Sequence, residues 1–91
     1  MVIIMRMDKF LKVSRIIKRR TLAKELTELG RVEINGKISK PSSEVKVGDI
    51  LKIELRDYIM VAKVNLVKDN VRANEAAFMY EIISEEFKKS E

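Results

Sequence analysis

The chain has 91 residues, 19 Lys and Arg against 14 Asp and Glu for a formal charge of +5, and no cysteine, histidine or tryptophan. That length allows one domain with one small core and no buried catalytic cavity of ordinary size. Without cysteine there is neither a disulfide framework nor a thiolate metal site, and without histidine the commonest general base and transition-metal ligand are gone, so neither cofactor nor metal is expected. The basic balance points to nucleic acid or an anionic membrane surface, while two Tyr and three Phe are too few for an aromatic stacking platform. The longest apolar run, Val2-Ile3-Ile4-Met5, is too short for a bilayer span or a signal peptide, so the chain reads as soluble and cytoplasmic with no membrane partner.

Residues 1–5 are apolar and carry no cap or turn signal; they read as an edge strand or a frayed tail. The positive charge then arrives in one block. Between Arg6 and Lys24 lie eight basic residues (Arg6, Lys9, Lys12, Arg15, Lys18, Arg19, Arg20 and Lys24) and one acid, Asp8, so this stretch carries +7 and all other residues together −2. Phe10, Val13 and Ile17, then Leu22, Leu26 and Leu29, recur at helical spacing. On a helix starting near Asp8, Lys12, Arg15 and Arg19 fall within about a 60° wedge. Asp8 suits the first turn of that helix, where it can pair with Lys12 or a neighbouring Arg and keep the basic face in register. Ser14 is placed to bend or end it. A second helix begins among Arg19, Arg20 and Thr21, with Thr21 the best capping residue, and stops at Gly30. Phe10, Ile17, Leu22 and Leu26 are expected in the core.

After Gly30 the period changes to two. Strands are expected over 31–34 and 37–40 around the Asn35-Gly36 turn, then over 51–55 and 60–67, giving a four-stranded antiparallel sheet. Pro41-Ser42-Ser43 breaks the second strand; its hydroxyls could meet phosphate or simply form a loop. Asn74 is placed to cap a C-terminal helix carrying Ala76, Met79, Tyr80, Ile83 and Phe87 on one face, with five acids and two bases from Glu75 to Glu91. The domain reading is therefore a tail (1–5), a binding domain (6–67) and a C-terminal amphipathic helix (68–91).

Taken in order, Arg6-Met7-Asp8-Lys9-Phe10-Leu11, Arg20, Ala23, Leu26, Gly30-Arg31-Val32, Ile34-Asn35-Gly36, Lys40-Pro41-Ser42, Val47 and Gly48-Asp49 resemble the S-four RNA-binding domain, the αL module of a small-subunit ribosomal protein. The stretch from Met5 to Leu26, the run Asn35 to Asp49 and the tail Ala76 to Ile82 narrow the resemblance to short stand-alone proteins, the RqcP family, related to a heat-shock-induced ribosome-binding protein. The resemblance implies an α+β fold with two basic helices facing RNA and packed on a small antiparallel sheet. It implies a non-enzymatic role in ribosome quality control: docking on large-subunit rRNA and holding peptidyl-tRNA while stalled chains receive C-terminal alanines. The alanine-tailing factor is a candidate further partner, and a monomer is expected. Alternatives are a ribosome-associated stress protein, a general structured-RNA binder, or an adaptor acting through the C-terminal helix. The expected RNA contacts are Arg6, Lys9, Lys12, Arg15, Lys18, Arg19, Arg20 and Lys24, with Asp8 in support. Two departures stand out. Arg19 occupies a position where the family commonly has Ser or Thr, and the family pattern begins at Met5, which makes residues 1–4 an upstream extension.

Overall fold

The computed structural model describes residues 3–69 and 71–88; Met1, Val2, Asn70 and residues 89–91 lie outside it, and with them the first two residues of the expected tail and the last three of the expected C-terminal helix. The described elements are β1 (Met5–Arg6), α1 (Met7–Val13), α2 (Arg20–Glu28), β2 (Val32–Ile34), β3 (Lys37–Ile38), β4 (Glu44–Val45), β5 (Ile50–Glu54), β6 (Tyr58–Val64), α3 (Ala73–Ala76) and β7 (Tyr80–Phe87). Sheet order is β3-β2-β5-β6-β7, with β1 and β4 forming a separate two-stranded ladder. Every described pairing is antiparallel.

A helix leaves its first N–H groups without intrahelical acceptors. In α1 the loop after β3 supplies them: Met7 N–H donates to the Ser43 carbonyl (2.7 Å) and Asp8 N–H to that of Pro41 (3.1 Å). The Ser43 hydroxyl in turn accepts from Lys40 N–H at 2.8 Å. The Lys-Pro-Ser loop is thus the cap of the first helix. That helix ends where Ser14 follows it, and Arg15 then adopts φ +63°. The second helix starts at Arg20 with Arg19 as its N-cap and no side-chain cap bond, so Thr21 is inside the helix rather than capping it. It stops on Gly30 at φ +76°, where Gly30 N–H reaches the Thr27 carbonyl (3.1 Å) and Arg31 N–H that of Leu26 (3.0 Å), the paired bonds of a Schellman stop.

Phe10, Leu11, Ile17, Ala23 and Leu26 meet Val32, Leu51, Ile53 and Val64 in one buried cluster between the helices and the sheet. Leu22 departs from the expected core: it is 44% exposed, and the inward face of α2 is filled by Ala23, Leu26 and Thr27 instead. The Thr27 hydroxyl satisfies itself on the carbonyls of Ala23 (3.0 Å) and Lys24 (2.8 Å), which lets a polar residue face the core.

The C-terminal segment corrects the sequence reading. Residues 80–87 form strand β7, and the only helix near them among the described residues is the single turn Ala73–Ala76, preceded by Arg72 rather than capped by Asn74. The cause lies in β6, whose Met60, Ala62 and Val64 face the core while Ile59 and Val61 are half-buried on the other side. A strand apolar on both faces is an interior strand and needs a neighbour along each edge. β7 supplies the second, pairing Val64 with Tyr80 through to Tyr58 with Phe87 across a bulge at Val61/Ala62. The Tyr58 and Phe87 rings lie 5.6 Å apart, and Lys88 closes the end with bonds to the Asp57 carbonyl and the Glu54 carboxylate. An adaptor role through an acidic helix therefore has no helix to rest on.

The Asn35-Gly36 loop forms the expected two-residue hairpin, with φ +50° and +84° and Ile34 paired to Lys37. Asn35 also donates its amide to Asp49 Oδ1 (3.0 Å) and accepts from Ile50 N–H (2.9 Å) through its carbonyl oxygen. The hairpin tip is thereby pinned to the Gly48-Asp49 turn. Replacing Gly36 with Val should lower stability by at least about 1–2 kcal/mol, because a β-branched side chain is strained at this φ although nothing crowds its Cβ. Chemical denaturation checks this, and an unchanged midpoint would contradict it.

Candidate nucleic-acid interface

The basic block folds around one carboxylate. Asp8 lies in the first turn of α1 with its side chain 4% exposed, yet it touches three different parts of the chain. Arg6 clasps it from β1 with two bonds, Nε to Oδ1 at 3.1 Å and Nη2 to Oδ2 at 3.2 Å. Lys9 N–H donates to Oδ1 at 2.8 Å. From the start of α2, Arg20 Nη2 lies 3.5 Å from Oδ1. Burial pushes the Asp8 carboxyl up, but the Arg6 hydrogen bond, the Arg20 charge and the Lys9 N–H outweigh it, so it sits below the ordinary carboxylate value. The partner is thus a neighbouring Arg on each side and not Lys12.

The other cations divide. Lys9 pairs with Asp69, tying α1 to the chain after β6, and Lys24 lies 4.0 Å from Glu28 on the same helix. Lys12, Arg15, Lys18 and Arg19 are exposed and form no ion pair among the described residues. Lys12, Arg15 and Arg19 do not share one helical stripe as the spacing predicted. α1 ends at Val13, so Arg15, Lys18 and Arg19 stand on the corner between the helices. Arg15 holds left-handed backbone there, an arrangement an L-residue adopts at a cost. The corner is closed by Arg15 N–H to the Lys12 carbonyl and Ile17 N–H to that of Leu11, both at 3.0 Å. At its far end α2 opens without a side-chain cap, so the positive end of its dipole adds to the field of Lys18, Arg19 and Arg20.

Lys12, Arg15 and Lys18 line one side of a cleft of about 1010 Å³. The other side comes from Lys68, Asp69, Arg72 and Glu75, with Val13 and Val71 as apolar lining. Lys68 and Arg72 are binding candidates that the sequence reading missed. Their signal was faint: two cations in an irregular stretch whose place opposite the α1–α2 corner depends on the path of β6 and on the Lys9–Asp69 bridge. Arg6, Lys9, Arg19, Arg20 and Lys24 do not line this cleft. Guanidinium and ammonium groups unneutralised by the protein suit phosphate oxygens, Arg through paired N–H bonds and Lys as a point charge.

Helices on an antiparallel sheet with an exposed cationic helix corner define a small RNA-binding module. The family model described as "S4 domain" matches residues 5–51. A Bacillus subtilis protein called RQC P-site tRNA stabilizing factor is 54% identical over 82 residues, covering 90% of this chain and 95% of its own. The protein of the same name from Streptococcus pneumoniae is 51% identical over 81 residues, covering 89% and 92%. A solved trimeric structure of Vibrio cholerae Heat Shock Protein 15 superimposes with a TM-score of 0.80 at 31% identity, covering 90% of this chain and 84% of that one. The chain belongs to the S4-domain family and, within it, to the family of the RQC P-site tRNA stabilizing factors.

The depressed Asp8 carboxyl gives stability a pH dependence of definite sign. Its contribution is complete above the unfolded value near about 3.9 and is lost as pH falls through the lower folded value. Asp49 acts in the same direction: burial raises its carboxyl, but Lys46 N–H, the Asn35 amide and the Lys46 ammonium outweigh that and hold it below the ordinary value. Wild-type stability should therefore fall as pH drops below about 4. Asp8→Asn should cost about 1–3 kcal/mol at neutral pH, towards the lower end because Arg6 and Arg20 are about half exposed (53% and 48%), and should make the acid loss shallower. Denaturation across pH reads both effects; an Asn variant with wild-type stability and an unaltered acid limb would contradict the bracing role.

Proposed function

We propose that this chain is a non-catalytic, cytoplasmic RNA-binding protein that docks on the large ribosomal subunit and holds P-site peptidyl-tRNA while stalled chains are extended with alanine. The observation that carries the reading is the braced corner. Four cations without acidic partners among the described residues are presented by a backbone that one buried carboxylate and two defined helix ends hold in place. Such a surface recognises the spacing of phosphates on folded RNA; affinity comes from charge and selectivity from shape. The name of the relatives at about half identity supports the P-site tRNA as the object held. We assign the RNA contact to Lys12, Arg15, Lys18 and Arg19 first. Arg6 and Arg20 combine phosphate contact with bracing, and Lys9 and Lys24 lie at the margin.

The alanine-tailing factor is the protein partner this role requires. We also propose that the protein acts as a monomer. The free edge strand β7 carries Glu81, Glu85 and Glu86 without a basic residue, and antiparallel pairing with a second copy would set like charges together. No helix among the described residues is long and apolar enough to cross a membrane. A second reading, a ribosome-associated stress protein or general structured-RNA binder, draws on the likeness to Heat Shock Protein 15. It differs in predicting no dependence of alanine tails on the protein.

Replacing Arg15, Lys18 and Arg19 together with Ala should change stability by less than about 0.5 kcal/mol per exposed site. The slope of log K against log salt for large subunits carrying peptidyl-tRNA should shrink by about 0.7–0.9 per lost phosphate contact. The variant should also fail to restore alanine tails in cells lacking the protein. Tails of normal length in the deletion strain would remove the pathway role, and an unchanged salt slope would remove the interface.

A further inference from the structure

The S4 match ends at residue 51, but the cationic cleft does not. Its second side is built after β6, where Lys68 and Arg72 face Lys12, Arg15 and Lys18. Five cations thus line a space that also holds two carboxylates, and both carboxylates are engaged. Asp69 is bound by Lys9. Glu75 Oε2 accepts from Lys68 Nζ at 3.0 Å. Arg72 has no carboxylate partner among the described residues. At about 1010 Å³ the cleft exceeds what a lone phosphate fills and reaches the upper end of small-molecule pockets, about 300–1,000 Å³. Cations repeated along two sides, with Val13 and Val71 between them, suit a stretch of sugar–phosphate backbone, whose charges repeat while its sugars present apolar edges.

We propose that Lys68 and Arg72 form the second jaw of a two-sided phosphodiester clamp, and that Glu75 holds Lys68 until an RNA phosphate displaces it. The proposal rests on the RNA-binding reading above and extends the site beyond the S4 module. The Lys9–Asp69 bridge joins α1 to the start of the second jaw without engaging any of the five cations of the cleft. Loss of the exposed Lys68–Glu75 pair removes little stability, so substitutions here leave the fold intact. Exchange of Glu75 for phosphate trades one anion for another at the same ammonium, so Lys68 is never left without a partner.

The test uses the full chain and a tRNA transcript as the probe, with affinity measured over a range of salt. Lys68→Ala with Arg72→Ala should reduce the log K against log salt slope by about 1.4–1.8, two contacts, and Arg15→Ala with Lys18→Ala by a similar amount. Glu75→Gln should raise affinity severalfold, and that gain should shrink sharply when Lys68 is already Ala, since the cycle isolates the pairwise effect. If the Arg15 and Lys18 pair flattens the slope while the Lys68 and Arg72 pair does not, the second jaw is overturned and the RNA-binding reading stands. If neither pair alters the slope, both fall. A Glu75→Gln gain of the same size with and without Lys68 would overturn the displacement and reduce Glu75 to a distant negative charge. Equal weakening of free mononucleotide and tRNA binding would assign the jaw to a single phosphate and overturn the clamp.

Discussion

Eight cations within nineteen residues repel one another, and a chain that concentrates them must hold them apart in a fixed pattern. The Asp8 carboxylate does this as the one buried charged side chain in the block. It receives Arg6 from the edge ladder, the backbone of α1 through Lys9, and Arg20 from α2. Three elements are joined at its two carboxylate oxygens. The surface beyond it then consists of cations that have no such partner. Bracing and binding are thus divided among residues of the same type, and the division is made by geometry.

The sheet contributes by setting where the helices stand. The first helix begins on carbonyls of the Lys40–Ser43 loop, whose position depends on the hairpin that precedes it, and that hairpin is locked through Asn35 to Asp49. The small polar loop, whose hydroxyls could also have met phosphate, and the Asn-Gly turn both serve as structural pins. Charge-bearing side chains at the corner have no such internal role. The uncapped start of α2, where Arg19 stands in place of Ser or Thr, fits the same division: a side-chain cap would satisfy the helix at the expense of the local positive field.

Much of this was legible in the chain because the signals were local. The Asn35-Gly36 turn, the Gly30 stop and the change of period after it depend on φ preferences and side-chain alternation, and the structure places them where they were read. The failures share a different cause. Ala76, Met79, Tyr80, Ile83 and Phe87 satisfy a helical period, but the free edge of β6 decides for a strand, and that edge lies in sequence before the segment it recruits. The available clue was β6 itself, apolar on both faces and so in need of a second neighbour. Leu22 kept the helical period yet faces solvent, because the inward face of α2 is taken by Ala23, Leu26 and Thr27. Lys68 and Arg72 were invisible for the same reason as β7: their place follows from long-range pairing and not from their neighbours in the chain.

The central claim is that RNA is met by the α1–α2 corner and the segment facing it, while the outer strand β7 and the open side of the sheet stay clear. Amide chemical-shift mapping during titration with a tRNA transcript addresses this residue by residue. The account predicts that the shifts concentrate at residues 9–24 and 68–75 and fade as salt is raised, with 80–87 nearly silent. Shifts centred on β7, or on the sheet face that carries Lys52 and Lys63, would contradict it.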